Sequence, residues 1–521
     1  MQHFKKNSIM KIEKNMRYGF LTFMVMVFVY SCTDLEIDPT DSVIDNQEGE
    51  FTGVDDVDAA LTNVYNAIRG QIENQADLYA LNEVTSDELL VPTRGTDWGD
   101  NGLWRTLHEH NWSAIHPFVL ANWNNLNTNV FNTTEIIDPR SSADAGQLAQ
   151  AKFLRAFSMF WIMDMYGQVP FREPDEGPEV NPRVFTRSEA LDFVLTDLNE
   201  AIPDLPVVGP SEATNRASRA AGNYLLAKVL LNKHVYNGSG TPDAADMTAV
   251  INAVDAIAAD GFGLEAGYFE LFTSSIDSET IWHTQSSVGN RMWNTLHYNQ
   301  NSPDNGGGGW NGWCTLAEFY GLFEGDPDIN VPGSGQEERR GYVPTDGSNL
   351  GIGYGFLIGQ QYDESGAPLS DRPGNPLVFT KELPALVGNN ERTGIRVIKY
   401  HPENGAFANH EIVFRYADAH LMKAEAILRG GTSGDDALTL VNELRAIRNA
   451  SPLPSVDEQD LLDERGRELY GEFWRRNDQI RFGKFADTWG YKDNTEDFRS
   501  LFPIPSQAII SNPNLSQNPG Y

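Results

Sequence analysis

Cysteine is nearly missing from this chain of 521 residues: Cys32 and Cys314 are the two it has, too few for a disulfide-stapled scaffold. Basic residues are scarce as well. Lysine and arginine total 39 against 73 aspartates and glutamates, a formal net charge of −34, which repels nucleic acid and anionic membrane surfaces at long range. The apolar run Phe20–Tyr30 is too short to span a bilayer. His108 and His110 stand at i,i+2 without a third ligand spaced as zinc requires. Gly351, Gly353 and Gly355 run into Phe356, which breaks the dinucleotide fingerprint GxGxxG. Neighbouring carboxylates such as Glu337-Glu338 and Asp435-Asp436 arise by chance in so acidic a chain, and glycosidase chemistry needs a set separation across a cleft. No enzymatic, cofactor or metal role is therefore expected of it.

What is present suits a folded body: 40% hydrophobic and 11% aromatic residues are globular values. Residues 1–31 read as a targeting segment, with Lys5, Lys6, Lys11, Lys14 and Arg17 as its basic region before the apolar run. It ends Val29-Tyr30-Ser31-Cys32. A small residue before Cys at that point resembles a bacterial lipobox, which implies lipidation of Cys32 and attachment to a membrane through the lipid. The competing reading is an ordinary secretory signal with an incidental Cys. Beyond residue 31 stand 34 basic against 72 acidic residues, a net charge of −38. Residues 32–50 read as an acidic tether, and Asp34, Glu36 and Asp38 resemble an export signal for surface lipoproteins.

Helical spacing then dominates. It predicts helices over Asp55–Ile72, Val119–Ile137, Ala149–Tyr166 (the most apolar), and about 186–201, 216–236 and 242–260, with 74–115 mostly loop. Residues 271–410 are rich in Gly, Asn, Asp, Pro and aromatics and read as a loop-rich lobe. Helices resume over Glu411–Arg429 and Asp435–Asn449. Two Ala-rich helices joined by a short turn have the size of a tetratricopeptide hairpin, although no clean repeat of that period is visible. From Asp463 a charged helix is expected with Leu462, Leu469, Phe473 and Ile480 as its stripe, and with Asp463–Arg467 and Glu472–Arg476 pairing at i,i+4. Pro503, Pro505, Pro513 and Pro519 predict an extended tail.

The same C-terminal stretch carries a specific pattern. Arg467–Glu472 reads Arg-x-x-Glu-Leu-x-Gly-Glu when extended back to Arg465, Trp474–Arg481 is an aromatic-Arg-x-x-Asp-x-x-Arg run, and Phe502–Pro505 and Gln517–Tyr521 follow. This series closely resembles the SusD/RagB family of outer-membrane nutrient-binding lipoproteins, and the string from Ala151 to Phe171 resembles it again. The resemblance implies a mostly α, SusD-like fold over residues 51–521. Four tetratricopeptide-like helix pairs would form a scaffold (51–270 and 411–521), with the irregular lobe 271–410 facing the ligand. It also implies an outer-membrane protein facing the cell exterior, partnered by a SusC-like TonB-dependent transporter to which it hands a glycan.

Two loops have the composition that sugar binding needs, since pyranose C–H faces stack on aromatic rings while hydroxyls need amide, carboxylate or Arg partners. The first holds Arg94, Asp97, Trp98, Asp100, Asn101 and Trp104, running on through His108 to Trp112; the second, Arg291–Trp313, holds Trp293, Tyr298, Trp310 and Trp313 amid asparagines. The plain alternative is that these aromatics are core. The family places ligand-stacking aromatics in corresponding loops, which puts Trp98, Trp310 and Trp313 first. With so few basic residues nearby, the glycan is expected to be neutral. A peptide or glycopeptide ligand, or a purely protein-binding tetratricopeptide lipoprotein, remain alternatives. Cys314 is expected to be a small core residue.

Overall fold

Helices begin where the sequence supplies a side-chain acceptor. Asp56 caps Val57–Glu73, accepting from Ala59 N at 3.0 Å. Asp144 and Gln147 form a capping box on Ala145–Tyr166, as do Thr186 and Glu189 on Arg187–Ala201. Ser218 and Asp243 cap Arg219–Tyr236 and Ala244–Ala259. Each cap contributes about 1 kcal/mol. Ala145–Tyr166 stops at Gly167, whose φ of +73° is the left-handed turn that glycine adopts freely.

The computed structural model describes residues 51–285, 294–300, 308–400 and 410–521. The expected targeting segment, the tether with Cys32, and the loop residues Arg291 and Trp293 lie outside the described residues. The fold is mostly α, as expected. Successive helices pack on one another: Pro117–Ile137 lies against both Val57–Glu73 and Ala145–Tyr166, which in turn packs on Arg187–Ala201. Arg219–Tyr236 pairs with Ala244–Ala259, then Tyr416–Leu428 with Ala437–Ile447. Ala145–Tyr166 is buried almost all round, including Phe153, Phe157, Phe160 and Trp161. Trp161 stacks on Trp474 at 5.3 Å, joining this helix to the C-terminal segment.

Between 271 and 410 the described residues form short strands, 3-10 turns and the four-residue helix Ala317–Tyr320. This part has its own apolar cluster, including Leu90, Phe319, Phe356, Ile395 and Tyr470. Antiparallel pairing of Thr280–Thr284 with Glu411–Arg415 closes its base. The expected helix over Glu411–Arg429 therefore starts only at Tyr416; Ile412, Val413 and Phe414 take the strand that β-branched and aromatic residues favour. The expected loop 74–115 holds two short helices, Asp77–Glu83 and Leu103–His108.

The C-terminal charged helix is broken in two, Glu458–Leu469 and Arg475–Arg481. Between them Gly471 and Phe473 have φ of +71° and +74°. The cause is tertiary: Gly471 N donates to the Glu88 carboxyl and Phe473 N to that of Glu83. The expected i,i+4 pairs do not form either. Glu472 pairs with Lys399 and Arg415, Arg476 with Asp164, and Arg467 with Glu464. These belong to a buried ionic lattice in which Glu468 receives Arg339, Arg415 and Arg448, while Asp478 joins Arg465 and Arg481. Removing one partner of a buried pair costs about 3–5 kcal/mol, because the other charge is left uncompensated. The proline-rich tail is tied along the body. Asn518 Nδ2 donates to Tyr166 O and Phe502 O, and Gln517 bonds both backbone groups of Ile504. The tail includes one short helix, Ser506–Ser511, which the prolines had argued against.

Candidate functional site

Two-residue strands bring the aromatic loops together. Leu89–Leu90 pairs with Cys314–Thr315, so the chain leaves one strand into the first loop and enters the other from the second. Trp98 then meets Trp310: its indole Nε1 donates to the Trp310 carbonyl at 2.7 Å. The first loop is a tight reversal, Arg94 and Asp97 exchanging backbone bonds of 3.0 and 2.9 Å across Gly95. Trp98, Asp100 and Asn101 all have positive φ, +58°, +35° and +52°. For a residue as bulky as Trp this is a strained backbone, of the kind that persists where a surrounding structure over-determines it. Gly312 is required beneath it, since a Cβ there would sit 2.3 Å from the Trp98 ring.

The result is an open cleft of about 510 Å³ lined by Gln75, Thr96, Asp97, Trp98, Asp100, Trp104, Tyr298 and Trp310. Trp310 is 59% exposed, and Trp98 and Tyr298 are half-buried. The Tyr298 hydroxyl donates to Asp97, and burial followed by the Asp97 carboxylate keeps that phenol protonated well above its ordinary range. Trp104 is buried, with Nε1 donating to Asp100 at 2.8 Å, so it aims that carboxylate while showing an edge to the cleft. Flat faces beside carboxylates, an amide and a threonine hydroxyl suit a ligand that is apolar on its faces and hydroxylated at its edges.

Two expected site residues are not placed to touch a ligand. Trp313 is 2% exposed and packs behind Trp104 at 5.4 Å and against Tyr79 at 5.2 Å, because it leads directly into the inward strand Cys314–Thr315. Arg94 is 3% exposed and spends its guanidinium on Thr393 and the Asn390 carbonyl. Both support the loops from below. His108 and His110 likewise bond backbone carbonyls, of Gly490 and Thr85, and Trp112 bonds the Tyr521 hydroxyl at 2.7 Å. Cys314 is a core residue, as expected. It does have basic neighbours, Arg94 and Arg396, yet burial outweighs them and raises its thiol pKa.

Sequence reasoning missed Arg372 and Glu391. The Arg372 guanidinium lies 3.7 Å over the Tyr298 ring, reaches Asp97 at 3.1 Å and pairs with Glu391. Glu391 also accepts from His297 at 3.0 Å; burial opposes its charge, but bonds from Arg372 and His297 hold its pKa below the usual range. No local pattern marks these residues, which arrive from a different part of the lobe.

The chain is thus a helical body with an open, aromatic, acid-rimmed cleft, built from residues 75–104 together with Tyr298 and Trp310. A profile of the SusD family matches residues 385–521. The starch-binding protein SusD of Bacteroides thetaiotaomicron is 27% identical, covering 95% of this chain and 96% of that one. SusD-like protein P38 of Formosa agariphila is 25% identical over 98% of this chain and all of its own length. Among solved structures, a SusD-like protein from Bacteroides fragilis superposes with a TM-score of 0.68 at 20% identity, covering 91% of this chain and 98% of that one. Surface glycan-binding protein A from Bacteroides thetaiotaomicron, in complex with laminarihexaose, gives 0.63 at 19% identity, covering 89% and 98%. The chain is thus similar to the SusD family in its C-terminal residues 385–521, and to SusD and SusD-like proteins along nearly its whole length.

Proposed function

We propose that this protein binds a neutral polysaccharide or oligosaccharide in the Trp98–Tyr298–Trp310 cleft and delivers it to a SusC-like TonB-dependent transporter, from a lipid anchor at Cys32 on the outer face of the outer membrane. The observation that carries the binding step is the pairing of the exposed Trp310 ring with Trp98 above a carboxylate rim. Relatives whose names include starch and laminarihexaose support the ligand class. Delivery, the transporter and the anchor rest on the family resemblance and on the Cys32 motif. No helix among the described residues is long and apolar enough to cross a membrane.

Neutrality rests on charge. Among the described residues no lysine, arginine or histidine lines the cleft, and the nearby Arg372 is already paired with two carboxylates. No bond-breaking role is assigned: the acidic residues of the cleft orient tyrosine and tryptophan donors instead.

Affinity electrophoresis tests the reading. Starch, laminarin and other neutral polysaccharides cast in the gel should retard the wild-type chain and not a Trp98→Ala/Trp310→Ala variant, with no release of reducing ends. Retardation by peptides and by no polysaccharide, or steady release of reducing sugar, overturns it.

A further inference from the structure

A second cavity lies outside the aromatic cleft and shares no lining residue with it. It has a volume of about 580 Å³, within the range of small-molecule sites. Phe269, Tyr354 and Tyr342 make one wall: the first two rings lie 4.7 Å apart at 32°, and Tyr342 meets Tyr354 edge-on at 5.3 Å. Both tyrosines are half-buried and line the space, and the Tyr354 hydroxyl donates to that of Tyr342 at 3.4 Å. Opposite stand polar groups of mixed character. Glu338 is fixed by bonds from Tyr268 N at 2.8 Å and Asn449 Nδ2 at 3.2 Å. Gln336 donates to Gly341 O at 2.7 Å, and its own carbonyl oxygen is buried away from the cavity. Glu270 is exposed at the rim.

No lysine, arginine or histidine lines this cavity among the described residues, which disfavours an anionic ligand. A simple cation would need acceptors alone. Here tyrosine hydroxyls that can both donate and accept stand beside the Asn449 amide and the carboxylates of Glu270, Glu337 and Glu338. That set matches a ligand whose own groups both donate and accept, as hydroxyls do. The aromatic wall supplies a face for pyranose C–H bonds.

We propose that this cavity is a second saccharide site, taking one or two neutral pyranose units with Tyr342 and Tyr354 as the stacking wall and Glu338 and Asn449 as hydroxyl partners. It deepens the glycan-binding reading and rests on it. A chain holding a polymer at two places gains avidity by converting the second contact into an intramolecular one. Burial, then repulsion from Glu270, raises the Glu338 pKa against the bond from Tyr268 N and the attraction of Arg448.

The test is calorimetric titration of the full chain with laminarihexaose and maltohexaose, comparing wild type, Trp98→Ala/Trp310→Ala, Tyr342→Ala and Glu338→Gln. Two saccharides should bind per wild-type chain. The cleft variant should keep one, and Tyr342→Ala should lose the other, weakening it about tenfold or more; Glu338→Gln, which preserves shape, should do the same with an unchanged melting temperature. A single site abolished in the cleft variant and untouched in Tyr342→Ala and Glu338→Gln overturns this proposal while sparing the aromatic cleft. A site that survives in the cleft variant and vanishes in Tyr342→Ala moves glycan binding here. No binding of either sugar to the wild type overturns both for glucans. Tight binding of a lysine- or arginine-rich peptide in place of sugar, lost in Glu338→Gln, shows a cation site instead.

Discussion

Trp98 holds Trp310 by the backbone, not by its ring: the 2.7 Å bond runs from the Trp98 indole nitrogen to the Trp310 carbonyl. The Trp310 indole is thereby left free and 59% exposed at a fixed place. Trp310→Ala should weaken glycan binding by about 1–3 kcal/mol, the worth of a stacked ring and its area, and leave the melting temperature alone. Trp313→Ala should do the reverse. Its buried ring supports Trp104 and Tyr79, and loss of a buried aromatic costs about 3–5 kcal/mol of stability. Titration and thermal melts of both variants check this, and a melting loss in Trp310→Ala equal to that in Trp313→Ala would refute it.

Gly312→Ala should disable the cleft without removing any ligand contact. Its methyl would sit 2.3 Å from the Trp98 ring, so the indole must shift and the bond to Trp310 must break. Reduced glycan affinity with wild-type secondary structure by circular dichroism is the expected outcome. Unaltered affinity would show that the Trp98 position does not matter.

The two aromatic loops were legible because aromatics, asparagines and glycines in non-periodic stretches are unusual in a core. Composition could not separate Trp310 from Trp313, three residues apart. What separates them is the strand Cys314–Thr315, only two residues long and pairing with Leu89–Leu90, too short to leave an alternating pattern. Arg372 and Glu391 were illegible for a different reason: each finds its partners across the lobe, in contacts that leave no local spacing. The C-terminal helix misled in the opposite sense. Leu462, Leu469, Phe473 and Ile480 keep helical spacing, yet the backbone turns at Phe473 because distant carboxyls take its amides. Charges that looked like i,i+4 pairs take other partners, Glu472 meeting Lys399 and Arg415 and Arg476 meeting Asp164 from distant parts of the chain.

A uronate-rich oligosaccharide should bind more weakly than a neutral one of equal length, and added salt should narrow the gap. Asp97 and Asp100 rim the cleft, Arg372 is already engaged by Asp97 and Glu391, and screening acts over about 8 Å at physiological salt. Parallel titrations at low and high salt decide it. Tighter uronate binding that salt weakens would show that Arg372 is released to the ligand.

Stability should fall sharply in acid. Burial pushes the Glu464 carboxyl up, but Arg339, Arg467 and Arg445 prevail and hold it at about 2; Arg481 and Arg429 do the same for Glu425. An unfolded glutamate titrates near 4.5, so this stabilisation is complete above that pH and disappears as pH drops through about 2. Glu88 behaves oppositely: burial and the neighbouring Glu83 raise its pKa well above 4.5, so its contribution is present below 4.5 and lost as pH rises through the folded value. Glu88→Gln should therefore match or exceed the wild-type melting temperature at pH 8, whereas Glu468→Gln should fall by several degrees. Melting curves from pH 3 to pH 9 measure all three. A flat profile between pH 5 and pH 3 would contradict the ionic lattice.

Cys32→Ala should abolish labelling by a radioactive or clickable fatty acid and release the protein from the membrane fraction. Retained labelling in that variant would remove the lipid-anchor assignment.

The ionic lattice also sets the order in which this chain can be completed as it is made. Asp87 waits for Arg475, 388 residues downstream; the Glu83 carboxyl waits 390 residues for the Phe473 amide, and Asp164 waits 312 for Arg476. Until the ribosome has delivered the stretch beyond Tyr470, these carboxyls lack the arginine and amide donors that this stretch supplies. Such distant closures are slow to form. Closing of the core around Asp87, Glu83 and Asp164 is therefore completed only once the C-terminal stretch has been made.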